Sequence, residues 1–183
     1  MTTPFFTVGH SDRSLQDFIA LLRDAGVGFV ADIRKMPMSR ANPQFNQDVL
    51  AAALAAEGIG FEHVARLGGL RGKARDVPFE VNALWRNRSF HNYADYALSP
   101  EFREGLDHIL QLGAERPLTV MCSEAVWWRC HRRIVADYLI AAENPVLHIM
   151  AEGRLDPAVL TPGAVIGADG GITYPAALQP RSD

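Results

Sequence analysis

The sequence predicts an α/β fold: a mostly parallel, Rossmann-like sheet flanked by helices, with a C-terminal β-hairpin. Three observations carry this. Short apolar runs alternate with amphipathic helical segments, the pattern of a parallel sheet with crossover helices. Several of the helical segments carry their own start or stop residues. A late Ala168-Asp169-Gly170-Gly171 turn joins two short β-branched runs, as a hairpin requires. The length, 183 residues, suits a single domain over 1–183.

Phe5–His10 reads as a buried strand. Ser14, with Asp17 three residues on, resembles a capping box, and opens a helix with Leu15, Phe18, Ile19, Leu22 and Ala25 on its apolar face. Gly26 ends it. Phe29–Arg34 is a second strand, followed by a loop with Pro37 and Pro43. Asp48–Glu57 is an alanine-rich helix stopped by Gly58, and Gly60–Val64 is a weaker strand. Residues 65–89 read as loop, long for a compact domain and therefore functional or mobile. Phe90–Leu98 reads as a short helix. Ser99-Pro100-Glu101 supplies a cap, a first-turn proline and an acid for the next one. Leu118–Cys122 is the clearest strand. A helix over about Arg129–Ala142 and a last core strand, Val146–Met150, follow. The hairpin pairs Val165–Ile166 with Ile172–Tyr174, and the tail after Pro175 reads as loosely held.

Composition narrows the function classes. Hydrophobic residues make up 48% and charged residues 21%, enough for a sizeable core and unlike a disordered chain. No run approaches the roughly 18 apolar residues of a membrane span. The segment MTTPFF has no secretory pattern. Two cysteines, Cys122 and Cys130, make no disulfide framework, and a cytoplasmic protein with reduced thiols is expected. The net charge of −3 gives no reason for strong non-specific nucleic-acid or membrane binding. The charge is uneven, however. Residues 34–88 hold nine basic and five acidic side chains, residues 116–133 hold four Arg against Glu124, and residues 134–183 hold two Arg against six acids. Sixteen of the 18 basic residues are Arg, whose planar fork suits phosphate and carboxylate.

In open α/β sheets, sites form beyond the carboxyl ends of the strands. Three predicted strands end in chemistry: Gly9-His10-Ser11, Asp32-Ile33-Arg34 and Cys122-Ser123-Glu124. The next helix begins Cys130-His131-Arg132-Arg133. Cys122 has three readings: a nucleophile activated by Arg, His⁺ or a helix N-terminus, a redox partner of Cys130, or a small buried hydrophobe. Cys130 is placed in the first helical turn, where the dipole also favours thiolate. Cys122, Cys130, His131 and His10 form a set acceptable to zinc, but without paired-knuckle spacing. Six residues separate Cys122 from Arg129, none of them Gly. A cysteine-phosphatase cradle, with five, is therefore a poor match.

Asp32 and Arg34 share a strand face, either as general base and anion clamp or as a structural ion pair. His10 reads as an acid/base group or a loop cap, and Glu124 as its orienter or a helix cap. Arg40, Arg66, Arg71, Lys73 and Arg75 lie in loops around Gly68-Gly69, able to bind phosphate or to stay solvated. Trp85, Trp127, Trp128, Tyr93 and Tyr96 can stack on bases or anchor the core. His63, His91, His108 and His148 receive no role.

The segments TVGHSDRSLQDFIALL, VADIRKMPMSRANPQFN, HVARLGGLRG, NRSFHNYADYALSPEFREGL and VMCSEAVWWRCHRRIVADYL occur in order over about residues 7–140. In these segments the chain resembles the bacterial and archaeal family catalogued as domain of unknown function 488. The resemblance implies motif positions at His10, Asp32, Arg34, Arg40, Asn42, Pro43, Phe45, Cys122, Glu124, Cys130, His131 and Arg132. It supplies no reaction. This chain has Ser123 and Trp127 where the family often has Ala and Pro.

The leading expectation is a small enzyme acting on an anionic, phosphate-bearing substrate, with a nucleotide or nucleic acid among the candidates. Cys122, His10, Asp32, Glu124, Cys130 and His131 are its candidate catalytic residues. Arg34, Arg40, Arg71 and Arg132 are its candidate anion-binding residues. A non-catalytic nucleotide or nucleic-acid module and a metal-stabilised structural domain are the alternatives. No cofactor, resident metal or membrane partner is assigned.

Overall fold

A computed structural model describes residues 2–177. In chain order it contains β1 (Phe5–Gly9), α1 (Leu15–Asp24), β2 (Phe29–Asp32), α2 (Gln47–Ala56), β3 (Gly60–His63), α3 (Arg88–Tyr96), α4 (Pro100–Glu115), β4 (Leu118–Cys122), α5 (Arg132–Ala141), β5 (Val146–Ala151), β6 (Arg154–Pro157), β7 (Val165–Ile166) and β8 (Ile172–Thr173). Six strands form one sheet in the order β3-β2-β4-β1-β5-β6, and β7 pairs with β8. The first five are parallel; β6 is antiparallel on its edge. The expected mostly parallel sheet and terminal hairpin are both present. Among the described residues no helix is long and apolar enough to cross a membrane.

The topology follows from the handedness of crossovers. The steps β1 to β2 and β2 to β3 run toward one sheet edge; β3 to β4 and β4 to β5 run back. Right-handed connections must therefore lay the first two helices on one face and the later ones on the other. The two cores agree. Phe18, Leu22, Leu50 and Leu54 of α1 and α2 pack with Val8 and Val30. Tyr93, Phe102, Ile109, Ile134 and Leu139 of α3–α5 pack with Ala31 and Val120. All five residues of β1 and of β4 are buried, as central strands covered on both faces should be. Each fully buried large apolar side chain contributes about 1.5–3 kcal/mol.

Helix starts behave as their residues require. Ser14 Oγ accepts from the Asp17 amide at 3.0 Å, and Ser99 Oγ accepts from the Phe102 amide at 3.3 Å. Each such cap is worth about 1 kcal/mol.

Three features depart from the sequence reading. The antiparallel strand β6 is additional; its mostly exposed residues lack the apolar pattern of the core strands, and Gly153, at φ 71°, turns the chain into it. Helix α5 begins at Arg132 after a 3₁₀ turn over Trp127–Arg129. Cys130 is therefore extended, at φ −124° and ψ 148°, and outside the first helical turn. Trp127 stacks flat on His148, with centroids 4.6 Å apart, and this packing outweighs the helical propensity of the segment. Residues 65–89 are only partly the expected loop: they carry 3₁₀ turns over Ala65–Leu67 and Phe79–Asn82, α3 already begins at Arg88, capped by Asn87, and the segment is tethered. The Tyr93 and Tyr96 hydroxyls donate to the Leu67 and Arg66 carbonyls at 2.7 and 2.6 Å, and Asn92 donates to the Arg71 carbonyl at 3.1 Å. The expectation for the tail concerns mainly residues 178–183, outside the described residues.

Candidate functional site

The strand order brings the three chemistry-bearing ends together, because β2, β4 and β1 are neighbours. β1 and β4 leave the sheet in opposite directions, so a crevice opens between their carboxyl ends. Gly9 is in register with Cys122. The pairing runs past the strands, with the His10 and Ser11 amides donating to the Cys122 and Ser123 carbonyls at 2.9 and 3.0 Å. Gly9 is required here: a Cβ would lie 1.6 Å from the Glu124 carbonyl oxygen.

A cavity of about 840 Å³ occupies this crevice. His10, Arg34, Cys122, Cys130 and His131 line it, with Glu124, Lys35 and Arg129 among the charged groups around them. Met36, Met38 and Leu70 also line it and are exposed, giving the polar floor an apolar rim. Three non-glycine residues have positive φ among the described residues, and two of them, Ser11 at 52° and Leu70 at 56°, line this cavity. Such conformations cost about 1–3 kcal/mol each and cluster at functional sites.

The two cysteines are free and their sulfurs lie 2.7 Å apart. Cys130 Sγ–H donates to Cys122 Sγ, and Arg132 Nη1 donates to the same sulfur at 2.6 Å. Burial alone would push the Cys122 thiol up. The Cys130 hydrogen bond and the Arg132 charge outweigh it and bring Cys122 down to about 7. Burial, with the Cys122 charge beside it, pushes Cys130 well up. The surroundings thus favour ionisation of Cys122 over that of Cys130.

Arg132 has no exposed surface. It lies under the cavity, and no carboxylate pairs with it among the described residues. Its other contacts are the Glu124 carbonyl at 2.6 Å and the Ala125 carbonyl at 3.3 Å, and Nε has no partner among the described residues. Arg34 is different. It forks onto the buried Asp32 carboxylate, Nε to Oδ1 at 2.9 Å and Nη2 to Oδ2 at 2.7 Å, and also donates to the Phe45 carbonyl at 2.8 Å.

His10 stacks on Phe45 at 4.3 Å. Its Nδ1 lies 2.7 Å from the Ser11 carbonyl, and its Nε2 lies 3.3 Å from Arg34 Nη1. The carbonyl fixes the proton on Nδ1, so Nε2 is an acceptor. Burial lowers the pKa of His10, aided by the Arg34 charge. His131 Nε2 donates to the Ile33 carbonyl at 2.8 Å, which leaves Nδ1 unprotonated, 3.5 Å from Cys130 Sγ. Burial brings His131 down to about 4. A Cβ at Gly69 would lie 2.9 Å from His131 Nδ1, so glycine lets the loop close on this ring.

The other predicted residues fall outside this cluster. Glu124 presents its backbone carbonyl to Arg132 while its residue is exposed at the rim. Arg40 is exposed and does not line the cavity. Arg71 lies over the Tyr96 ring at 3.8 Å and donates to the Gly68 and Ala65 carbonyls, bracing the loop. No group of three or more His, Cys, Asp or Glu side chains converges to hold a metal ion among the described residues.

The sequence reading also passed over some residues. Arg13 donates to the Gly9 carbonyl and to the Met150 carbonyl, bridging the ends of β1 and β5. Its signal was its place three residues after His10. His148 pairs with Thr7 Oγ1 at 2.6 Å beneath Trp127; an apolar strand context hid it.

A family model described as Domain of unknown function DUF488 matches residues 14–139. That range includes Asp32, Arg34, Cys122, Cys130, His131 and Arg132 and begins after His10. Neither the curated proteins nor the solved structures give a match.

Proposed function

The chain belongs to the DUF488 family, and from that premise we propose that the cavity is the active site of a thiol-dependent enzyme acting on an anionic, phosphate-bearing substrate. One observation carries the reading: a fully buried guanidinium whose nearest anion-forming group is a cysteine. A buried charge needs a counter-ion, and the Cys122 thiolate is the available one. Thiolate is the nucleophilic form of cysteine.

In the proposed reaction Cys122 Sγ attacks an electrophilic centre of the substrate. The bond from sulfur to that centre forms as the bond to the leaving group breaks, and the leaving group departs with the electron pair. Water then cleaves the covalent intermediate. Its proton goes to His10 Nε2, which is held unprotonated, and the thiolate is restored. Arg34, Arg129 and Lys35, which line the cavity, attract the anion. The Asp32–Arg34 fork keeps the guanidinium in place. Non-catalytic binding to the same cavity would survive Cys122→Ser.

The 2.7 Å sulfur separation favours one second reading, reduction of a substrate disulfide. Cys122 attacks that disulfide and releases one thiolate. Cys130 then gives its proton to the released thiolate and attacks Cys122 Sγ, releasing the second thiolate. The protein ends oxidised by two electrons and the substrate reduced by two.

The test is iodoacetamide labelling across pH, read by mass spectrometry, with and without inorganic pyrophosphate. We expect half-maximal labelling of Cys122 near pH 7, protection by pyrophosphate, and retarded labelling in Arg132→Met. Labelling only after denaturation, or a midpoint at or above the free-thiol value of about 8.5, overturns the proposal. Accumulation of an internal disulfide on turnover with a small disulfide selects the second reading.

A further inference from the structure

A second cavity, of about 940 Å³, lies on the other side of the first turn of α3. Ser89 and Phe90 line the first cavity, whereas Arg88 and His91 line the second. Its size is that of an ordinary ligand pocket. Its chemistry differs from that of the thiol site: no cysteine lines it, and four cations, Lys73, Arg75, Arg86 and Arg88, do. All four are exposed, and none is paired with a carboxylate among the described residues. The acid on its wall, Asp95, is buried and already engaged by Asn82 at 2.7 Å and by His91 at 3.5 Å.

The aromatic groups there are arranged for stacking. Phe79 is 66% exposed, and its ring lies parallel to His91 at 4.7 Å. One ring face is thus fixed and the residue still presents a large apolar surface to solvent. Trp85 and His91 also line the cavity, and each has a buried ring nitrogen, Nε1 and Nδ1, with no hydrogen-bond partner among the described residues. Orphaned buried polar atoms are uncommon and call for an explanation such as a ligand.

Cations without counter-ions beside an outward-facing aromatic ring are the elements of a single-strand nucleic-acid groove: the cations follow phosphates and the ring takes a base. We propose that the second cavity docks a single-stranded nucleic acid, with a base on Phe79 and neighbouring phosphates on Lys73, Arg75, Arg86 and Arg88. The chain's net charge of −3 does not oppose this, because the cations are concentrated on one wall. The proposal deepens the reading of the thiol site, since a strand held here lies next to the first cavity, but it does not depend on Cys122 chemistry.

The experiment is fluorescence anisotropy of the whole chain with labelled oligothymidylate and oligouridylate of equal length, over a range of salt. If four phosphates are neutralised, log affinity falls with log salt at a slope of roughly −3, at about −0.7 per phosphate. Phe79→Ala should weaken binding about tenfold or more, and Arg86→Gln with Arg88→Gln should flatten the salt slope by about 1.4. These side chains are exposed, so folding should survive, and circular dichroism checks it. Cys122→Ser should leave strand binding unchanged, so failure of the thiol proposal is separate from failure of this one. A preference between the two strands, which differ in the sugar and in the base 5-methyl group, supports the proposal. No binding at low salt, binding indifferent to these variants, equal binding of duplex, or displacement by free nucleoside monophosphate at the concentration of strand that displaces it would each overturn it.

Discussion

The end of β2 and the end of β4 each bury an arginine, and they satisfy it differently. At β2, Arg34 meets a carboxylate two residues away in two parallel hydrogen bonds, and Asp32 is fully buried with it. At β4, Arg132 meets a thiol sulfur and two backbone carbonyls. The two parallel hydrogen bonds hold the guanidinium in one orientation, so the β2 pair is a fixed scaffold. A thiol is charged only when its surroundings hold its pKa down, so the β4 pair is complete in one protonation state of Cys122. The difference separates an arginine paired with a carboxylate from one paired with a thiol, although both are buried cations at adjacent strand ends.

The largest effect in this comparison belongs to the scaffold. Asp32→Asn leaves Arg34 buried without its counter-ion. Breaking a buried pair on one side costs about 3–5 kcal/mol. Urea unfolding should show a loss of that size. A loss below about 1 kcal/mol would mean that Arg34 swings into the cavity and was never fixed.

The β4 pair should behave differently, and the sign follows from the depressed thiol. Cys122 sits at about 7 in the folded chain and near 8.5 when unfolded. Between these values the unfolded chain binds more protons, so this group's contribution to stability grows as pH rises from 7 to 8.5 and is complete above it. It is lost as pH falls through 7. Cys122→Ser cannot ionise in this range. The stability difference between the parent and Cys122→Ser should therefore be smallest below pH 7 and widen by about 2 kcal/mol by pH 9. A difference independent of pH would make Cys122 a neutral packing residue and remove the contrast between the two ends.

These two ends were unequally legible in the sequence. Apolar runs ending in Gly9-His10, Asp32 and Cys122 marked three strand ends, because burial on both faces gives parallel strands a nearly continuous apolar pattern. That β2, β4 and β1 are neighbours was not legible, since order depends on which faces the crossovers cover. Arg34 and Asp32 were readable as partners because period-two spacing puts them on one face. Arg132 was read as an anion clamp at a basic helix start; its complete burial depends on Gly9, which lets the Glu124 carbonyl approach. Glu124 drew attention for its carboxylate, whereas its backbone oxygen makes the contact. The extended Cys130 was hidden too, because the stack of Trp127 on His148 joins residues from different elements. Strand β6, short and mostly exposed, lacked the apolar pattern that marked the others.

The smallest expected effect comes from a third arginine that tests burial itself. Arg23, in the last turn of α1, pairs with Glu57 just beyond α2, and its side chain is 61% exposed. It has what Arg132 lacks, a carboxylate, and lacks what both strand-end arginines have, exclusion from water. Exposed pairs gain little Coulomb energy in a high dielectric and lose side-chain entropy on forming. Arg23→Ala should therefore change the free energy of unfolding by less than about 1 kcal/mol. The change should shrink further in molar salt, where charges are screened beyond about 3 Å. Urea unfolding of the parent and the variant at low and high salt measures both. A larger loss, unmoved by salt, would show that this arginine acts through the packing of its stem over Glu57 and the neighbouring helix face. The size of the Asp32→Asn effect could then no longer be assigned to burial of charge without first measuring the same packing contribution for Arg34.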